Sequence, residues 1–590
     1  MSRSGDSEED GASSHSRFGE VDDQYDPHAV EDRVFDYWEE TNAYEKTKAH
    51  RADEETLFFV DGPPYTSGAA HMGTTWNKTL KDAYIRHFRM RGYDVTDRPG
   101  YDMHGLPIET KVEERLGFEN KKDIEEFGME RFIEECKSFA NEQLEGLQDD
   151  FVSFGVWMDW DDPYKTVSPE YMEAAWWGFQ RAHERGLVTR GKRSITQCPR
   201  CETAIAKNEV EYHTAEAPSI YVKFPLSERE GSLVVWTTTP WTIPANTFVA
   251  VDEDVEYAAV RYGDDLLYLA RDVVDDVMGR LGADEDDYEI EATLPGSELL
   301  GWEYDHPLAA EVPDHPSGDG AGQVYHADYV EVDRTGMVHS APGHGEEDFA
   351  RGQELGLEVF CPVGSDGVYT EAAGEYAGTF VRDANDDVVD DLREHGLLLL
   401  SEAGHTIDEG QCWRCDTDIV RIVTDQWFIT VTDIKEELLA NIEDSEWHPP
   451  EARDNRFRKF VENSPDWNVS RQRYWGVPIP IWTPEDWSGD MNDVIVVGTR
   501  EELAARVDQD VDPGSIDLHR PTVDDLTITE DGTTYTRVPD VFDVWLDSSV
   551  ASWGTLDYPE ETEAFEDLWP ADLIMEAHDQ TRGWFWSQLG

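Results

Sequence analysis

Two short strand-turn-helix units, set at opposite ends of the chain, constrain its fold more than any other feature. Near the start, Leu57-Phe58-Phe59-Val60 is an apolar run too short for a helix and bounded by Asp61-Gly62-Pro63-Pro64. It reads as a buried strand entering a turn. Residues 71–91 then read as a helix, with Trp76, Leu80, Ala83, Tyr84, His87 and Phe88 recurring on one side. The far end repeats the pattern: residues 572–576 read as a strand and 579–589 as the start of a helix. A strand, a glycine-bearing loop and a helix in that order open a nucleotide-binding α/β unit. Between the two units the texture changes. Residues 211–405 carry short β-type runs (232–237, 256–261, 266–270) separated by Gly, Pro and Asp turns, and read as a β-rich domain inserted into the α/β domain. Residues 27–49 read as a leading helix on the spacing of Val30, Val34 and Trp38, and 313–322 as an exposed loop.

Acidic residues outnumber basic ones by 128 to 49 in 590 residues, a formal charge of −79. Such a charge repels itself unless salt screens it, and at molar salt the screening length falls to ~3 Å. A protein of concentrated brine accounts for this directly. A disordered acidic chain is the competing account, but 21 Trp, 23 Tyr and 23 Phe supply far more core material than such a chain carries. The charge argues against nucleic-acid partners, since phosphate is bound by Lys and Arg, though molar salt weakens that objection. No apolar run is long enough to span a bilayer. Residues 1–20 lack the apolar segment of a signal peptide and read as a disordered acidic tail. Six cysteines in a chain of this length do not build a disulfide scaffold, and four of them fall into two Cys-x-x-Cys pairs. The expected setting is a reducing cytoplasm, with a metal site.

The turn after the first strand, Pro63 to Thr74, ends in His71-Met72-Gly73-Thr74. Helix N-terminal amides point outward at such a junction and a glycine admits close backbone approach, so phosphate would fit there; an ordinary capped turn is the plainer reading. The segment resembles the first signature of class I aminoacyl-tRNA synthetases, His-x-Gly-His, with Thr74 in place of the last histidine. Gly100-Tyr101-Asp102-Met103-His104-Gly105-Leu106-Pro107-Ile108-Glu109 narrows the resemblance to the isoleucyl branch. The match continues through Ser470-Arg471-Gln472-Arg473-Tyr474-Trp475-Gly476, Asp543-Val544-Trp545-Leu546-Asp547-Ser548-Ser549 and Glu576-Ala577-His578-Asp579-Gln580-Thr581-Arg582-Gly583-Trp584-Phe585. The resemblance implies that His71, Gly73 and Thr74 serve ATP, that Asp102 pairs with the amino acid's ammonium, and that Pro63, Trp545 and Trp584 wall the isoleucine pocket. Glu576 and Gln580 would contact the aminoacyl-adenylate. The arginines of the Ser470–Arg473 segment would either face the tRNA 3′ end or brace the insertion, and the sequence does not choose.

The insertion carries a second pair of motifs. Trp236-Thr237-Thr238-Thr239-Pro240-Trp241-Thr242-Ile243-Pro244-Ala245-Asn246 is rich in hydroxyls, and Gly336 to Phe349 contains His339, His344 and Asp348. Plain β propensity would explain the threonines alone. Together the motifs resemble the editing site shared by isoleucyl, valyl and leucyl synthetases. The resemblance implies that Asp348 anchors the amino group, that Thr237, Thr238, Thr239 and Asn246 surround the terminal adenosine and ester, and that His339 shapes the pocket. No Ser/His/Asp nucleophile is evident, so an oriented water is the expected attacker. Two sites make physical sense because one methylene separates valine from isoleucine and discriminates too weakly in an apolar pocket, a limit for which isoleucine-specific synthetases are the usual illustration.

Cys198-Pro199-Arg200-Cys201 and Cys412-Trp413-Arg414-Cys415 stand at zinc-ligand spacing, one at each end of the insertion. A redox pair is the alternative for either alone, and iron fits the same ligands. Cys136 and Cys361 read as buried thiols.

The expected fold class is therefore α/β: a Rossmann-like class I synthetase catalytic domain interrupted by a β-rich editing domain. The divisions are a tail (1–20), the first catalytic half with its leading helix (21–191), a zinc neck (192–214 and 405–424), the editing insertion (215–404), and a second catalytic part with smaller insertions (425–590). The expected function is isoleucine–tRNA ligation with ATP, Mg²⁺ and Zn²⁺, with tRNA(Ile) as partner and hydrolysis of mischarged valine, by a cytoplasmic monomer. A valyl-type enzyme, and a piece retaining only deacylase or tRNA-binding activity, are the rivals. Neither a Lys-Met-Ser-Lys-Ser signature nor an anticodon-binding bundle occurs before Gly590, so weak or absent aminoacylation is expected of this chain.

Overall fold

The computed structural model describes residues 25–590 except Asp319; the tail reading of residues 1–20 lies outside the described residues. The chain's two ends meet in one parallel sheet. Phe59–Val60 pairs in parallel with Leu573–Ile574, and Thr56–Leu57 with Asp94–Val95. Gly100–Tyr101 pairs in parallel with Tyr164–Lys165, and a parallel bridge joins Tyr65 to Asp102. The ribbons thus lie in the chain order third, second, first, fourth. Extended backbone continues past the first strand: Asp102 N donates to the Pro64 carbonyl at 2.9 Å, and Thr66 N to the Asp102 carbonyl at 3.0 Å. Phe58, Phe59 and Val60 are buried, as a strand covered on both faces requires.

The helix Met72–Arg91 follows, but its faces are not those suggested by apolar spacing. Trp76, Leu80 and Tyr84 are 67 %, 43 % and 47 % exposed, while Lys78, Lys81, Ile85 and Arg89 face inward. The inward charges are paired: Lys78 and Lys81 both meet Asp61, and Arg89 meets Asp97 at 2.7 Å. Buried charge that is matched in this way can replace an apolar stripe. The leading helix breaks at Asn42, whose φ of 51° ends Pro27–Thr41 before Ala43–Ala49 begins. Near the other end, a 3-10 turn, His578–Arg582, precedes the helix Trp584–Leu589, with Gly583 between them at non-helical angles.

The insertion hangs on two antiparallel ribbons. Val188–Cys198 pairs with Val420–Ile429, and Val210–Pro225 with Leu398–Cys412. Beyond them a six-stranded sheet runs in the order Tyr288–Pro295, Glu256–Tyr262, Asp265–Ala270, Ser232–Thr237, Val210–Pro225, Leu398–Cys412. A three-stranded sheet is centred on Phe248–Val251, flanked by Gln323–His326 and Val338–Ser340. Apolar side chains of both sheets, among them Val222, Phe224, Leu233, Val235, Val249 and Val251, form a core separate from that of the α/β domain. The loop at 313–322 is only partly exposed: the His315 ring tucks in, 3.9 Å from that of His306, and bonds to the Asn246 carbonyl. A small four-stranded sheet (Ile495–Val496, Ile481–Pro484, Thr533–Arg537, Ile528–Glu530) decorates the second catalytic part. Among the described residues no helix is long and apolar enough to cross a membrane.

Candidate functional site

The C-terminal edge of the parallel sheet gathers residues from both ends of the chain. Glu576, just beyond Leu573–Ile574, receives Lys81 Nζ at 2.5 Å and Asn77 Nδ2 at 2.9 Å. Gly62 lies against it: a Cβ there would sit 2.3 Å from Glu576 Oε1 and 3.3 Å from the Trp584 ring, so only glycine permits the approach. Trp584 is buried and donates from Nε1 to the Ser548 carbonyl at 2.9 Å. Trp545 donates to Glu209 at 3.3 Å, and Gln580 Oε1 accepts from Trp584 N at 3.1 Å. A Cβ on Gly583 would stand 2.9 Å from Gln580 Oε1 and 3.2 Å from the Trp545 ring, so Glu576, Gln580, Trp545 and Trp584 share one neighbourhood, and Pro63 follows Gly62 directly in the chain.

Two carboxylates at this edge differ sharply. Burial would raise the Asp61 carboxyl, but Lys78 and Lys81 hold it below its usual value. Asp102 is 2 % exposed and has no ion-pair partner among the described residues; burial pushes its carboxyl well above the usual range. It follows the strand Gly100–Tyr101, bridges in parallel to Tyr65, and is chemically short of a cation.

His71 caps the Met72–Arg91 helix. Its Nδ1 accepts from Gly73 N at 3.1 Å and Thr74 N at 3.4 Å, while Thr74 Oγ1 accepts from His71 N at 3.1 Å. Thr74 thereby closes a capping box that a histidine would not reproduce.

At the neck, the Sγ atoms of Cys198, Cys201, Cys412 and Cys415 lie within 4.8 Å of one another, with Cys415 3.5 Å from Cys198 and 3.7 Å from Cys201. Thiolates at ~2.3 Å from a tetrahedral ion stand ~3.8 Å apart, so the cluster has the size of a zinc site. Cys136 is buried and Cys361 half-buried. The Ser470–Arg473 segment braces this neck. Arg473 is buried, pairs with Glu109 and Glu113 of the helix Leu106–Leu116, and donates to the Cys201 carbonyl at 2.9 Å. Arg471 pairs with Asp543 at 2.9 Å.

The insertion holds a cavity of about 680 Å³ lined by Thr237, Thr238, Thr239, Thr242, His339, His344 and Asp348, among others. Asp348 is fixed by Ala341 N at 3.0 Å and Tyr329 Oη at 3.1 Å, and burial raises its carboxyl. A Cβ on Gly345 would meet Asp348 Oδ2 at 2.5 Å, so glycine lets the carboxylate fold back. Thr242 Oγ1 lies 2.9 Å from His339 Nε2. Burial pushes the His339 and His344 imidazoles down to about 4, leaving both neutral near pH 7. Asn246 corrects the sequence reading. It does not line the cavity; it is fully buried, donates to the Phe248 carbonyl at 3.0 Å and accepts from Tyr304 Oη at 2.6 Å. Its amide holds the wall rather than facing a ligand.

Lys78 and Lys81 were not singled out from sequence, because lysines on a helix read as solvated. Nor was Asp547, whose motif position was visible but whose complete burial was not.

A family model for class I tRNA synthetases (I, L, M and V) matches residues 33–589. Three proteins named isoleucine–tRNA ligase are similar over nearly all of the chain. That of Haloarcula marismortui is 78 % identical over 580 residues, covering 97 % of this chain and 54 % of its own length. That of Natronomonas pharaonis is 74 % identical over 579 residues, 98 % of this chain and 54 % of its own. That of Halobacterium salinarum is 72 % identical over 583 residues, again 98 % and 54 %. The chain spans about half the length of the curated relatives it matches.

Proposed function

The chain belongs to the class I tRNA synthetases, and on that premise we propose that it carries the amino-acid seat and the ester-hydrolysing domain of an isoleucine–tRNA ligase. The observation that carries this reading is Asp102, a buried carboxylate without a cation, at a sheet edge where Glu576 and Trp584 from the other end of the chain close on Gly62. An α-ammonium is the cation such a site lacks, and Pro63, Trp545 and Trp584 wall the apolar side chain. ATP lies against the helix N-terminus at His71, Gly73 and Thr74, where the helix dipole favours phosphate and the Gly73 and Thr74 amides, capped by His71 Nδ1 in the empty protein, turn to the ligand when that ring moves aside. Mg²⁺, when bound with ATP, supplies charge neutralisation at the phosphates. Glu576 and Gln580 orient the adenylate. The four cysteines hold Zn²⁺ as a structural ion that pins both strands of the neck, and residues 215–404 form the editing domain.

In the insertion, Asp348 takes the amino group of a valyl ester on tRNA(Ile). The threonine hydroxyls, Thr237 to Thr239, surround the terminal adenosine, and His339 limits the side chain that enters. A water then attacks the ester carbonyl, and the ribose oxygen leaves with a proton. The insertion has its own core and cavity, so hydrolysis is the activity most nearly independent of the rest of the enzyme.

The test is deacylation of Val-tRNA(Ile) and Ile-tRNA(Ile) by this chain in molar KCl. Val-tRNA(Ile) should be hydrolysed at least tenfold faster, and Asp348→Ala should reduce that rate ~10²-fold. Equal rates on both esters, or an unaffected Asp348→Ala variant, would remove the assignment. Calorimetric titration with isoleucine tests the other site, where Asp102→Asn should abolish detectable binding.

A further inference from the structure

We propose that Asp547, His104, His519 and Asp517 form a proton path between the amino-acid seat and solvent, so that Asp547 becomes a second counter-charge when a substrate ammonium docks. The inference rests on the amino-acid seat at Asp102. Asp547 lies close enough to Asp102 to feel its charge, and His104 follows Asp102 by two residues, so the inner end of the path lies beside the seat.

The contacts run in one line. Asp547 Oδ2 lies 3.2 Å from His104 Nδ1, His104 Nε2 lies 2.9 Å from His519 Nε2, and His519 Nδ1 lies 2.6 Å from Asp517 Oδ1. Lys137 Nζ closes the outer end, 2.6 Å from Asp517 Oδ2. Asp547 and His104 have fully buried side chains, His519 is nearly so, and Asp517 is 44 % exposed. The line therefore leads from the interior to water. Trp475 stacks on His519 with ring centroids 4.9 Å apart and meets His104 edge-on at 4.9 Å, which holds both imidazoles in place.

The hydrogens can be assigned by elimination. The Asp517 carboxylate, paired with Lys137, can only accept, so His519 Nδ1 donates and, in a neutral ring, His519 Nε2 accepts. His104 Nε2 must then donate, which leaves His104 Nδ1 as a bare acceptor facing Asp547. Both Asp547 oxygens and His104 Nδ1 lack a hydrogen-bond partner among the described residues, and the 3.2 Å between Oδ2 and Nδ1 is a donor–acceptor distance once one of the two carries the proton. The Val477 N–H is the other donor near the Asp547 carboxyl, and a proton on Asp547 is what supplies His104 Nδ1 with the donor it lacks. Burial, with Asp102 and Asp543 adding their charge, pushes the Asp547 carboxyl well above its usual range, and burial pushes both imidazoles down. Tyr171 is the other titratable group facing Asp547 and Asp102.

A cation arriving at Asp102 reverses the preference. The Asp547 proton passes to His104 Nδ1, the His104 Nε2 proton to His519 Nε2, and the His519 Nδ1 proton to Asp517 and then to solvent, after which the 44 % exposed Asp517 side chain turns aside and water donates to the bared Nδ1. One proton enters and one leaves each ring, and the net change is one proton released and one carboxylate created beside the ammonium.

Calorimetric titration of the chain with isoleucine, in phosphate and in Tris at one pH, counts protons exchanged. Release approaching one proton per isoleucine is expected. Asp547→Asn should bind isoleucine about tenfold more weakly with the release lost. His519→Phe, which keeps the stack on Trp475, should release the same number of protons but at least tenfold more slowly, read with a pH indicator in stopped flow, while the tryptophan signal of docking keeps its rate. Isoleucine binding without proton release, or unslowed release from His519→Phe, overturns the path and leaves the amino-acid seat standing. Absence of isoleucine binding overturns the seat and the path together.

Discussion

Asp61 and Asp102 show how a single side chain's surroundings set its role. They sit at the same sheet edge and are equally buried, yet one meets two lysines and the other none. The signs of their stability contributions are opposite. The Asp102 carboxyl is raised by burial, so the folded state holds its proton more tightly than the unfolded one. Its cost begins as pH rises above the unfolded value, near 3.9, and is complete once pH passes the folded one. Asp102→Asn should therefore raise the unfolding free energy at neutral pH, by ~1–2 kcal/mol, even as it removes isoleucine binding. Asp61→Asn leaves Lys78 and Lys81 short of a counter-charge and should cost ~3–5 kcal/mol. Denaturant unfolding of the two variants in molar KCl checks the pair; a destabilised Asp102→Asn would show that the carboxylate is compensated in the empty protein.

At the scale of elements, the neck is held by a residue that the sequence could only place in a motif. Arg473 ties the Cys198–Cys201 turn to the helix Leu106–Leu116 through Glu109, Glu113 and the Cys201 carbonyl. Glu109 Oε1 also accepts from Tyr474 N at 3.0 Å and Trp475 N at 2.7 Å. Arg473→Ala would strand the buried Glu109 carboxylate and leave Glu113 to Arg200 alone, at ~3–5 kcal/mol. Arg473→Lys should recover little, since one ammonium cannot reproduce the planar fork that spans both. Hydrogen exchange should show the loss concentrated in residues 106–116 and 196–204, and full recovery by lysine would mean that charge alone, rather than shape, holds the joint.

For the whole molecule, a charge of −79 sets the conditions under which the fold exists. Self-repulsion is screened as the Debye length shrinks from ~10 Å at 0.1 M to ~3 Å at 1 M salt. The thermal unfolding midpoint should rise by roughly 10 °C or more between 0.1 and 2 M KCl, measured by circular dichroism. A midpoint independent of salt would mean that local pairing, not screening, neutralises the surface.

What the sequence determined by itself is whatever depends on short-range pattern: the apolar strand before Asp61, the β-type runs of the insertion, and the two cysteine pairs whose spacing is a ligand spacing. It also carried the motifs of the proposed amino-acid seat, because each motif is contiguous. The inner face of Met72–Arg91 was not legible, since Trp76, Leu80 and Tyr84 follow helical periodicity as well as any core stripe, and only Asp61 and Glu576, brought in from elsewhere, make Lys78 and Lys81 the buried side. Asn246 was readable as polar and conspicuous but not as a wall brace, because Tyr304, which occupies its carbonyl, is distant along the chain. The line from Asp547 to Asp517 belongs wholly to tertiary structure. Its members come from three separate segments, and a hydrogen bond's direction is fixed by which atoms face each other, a relation no single segment contains.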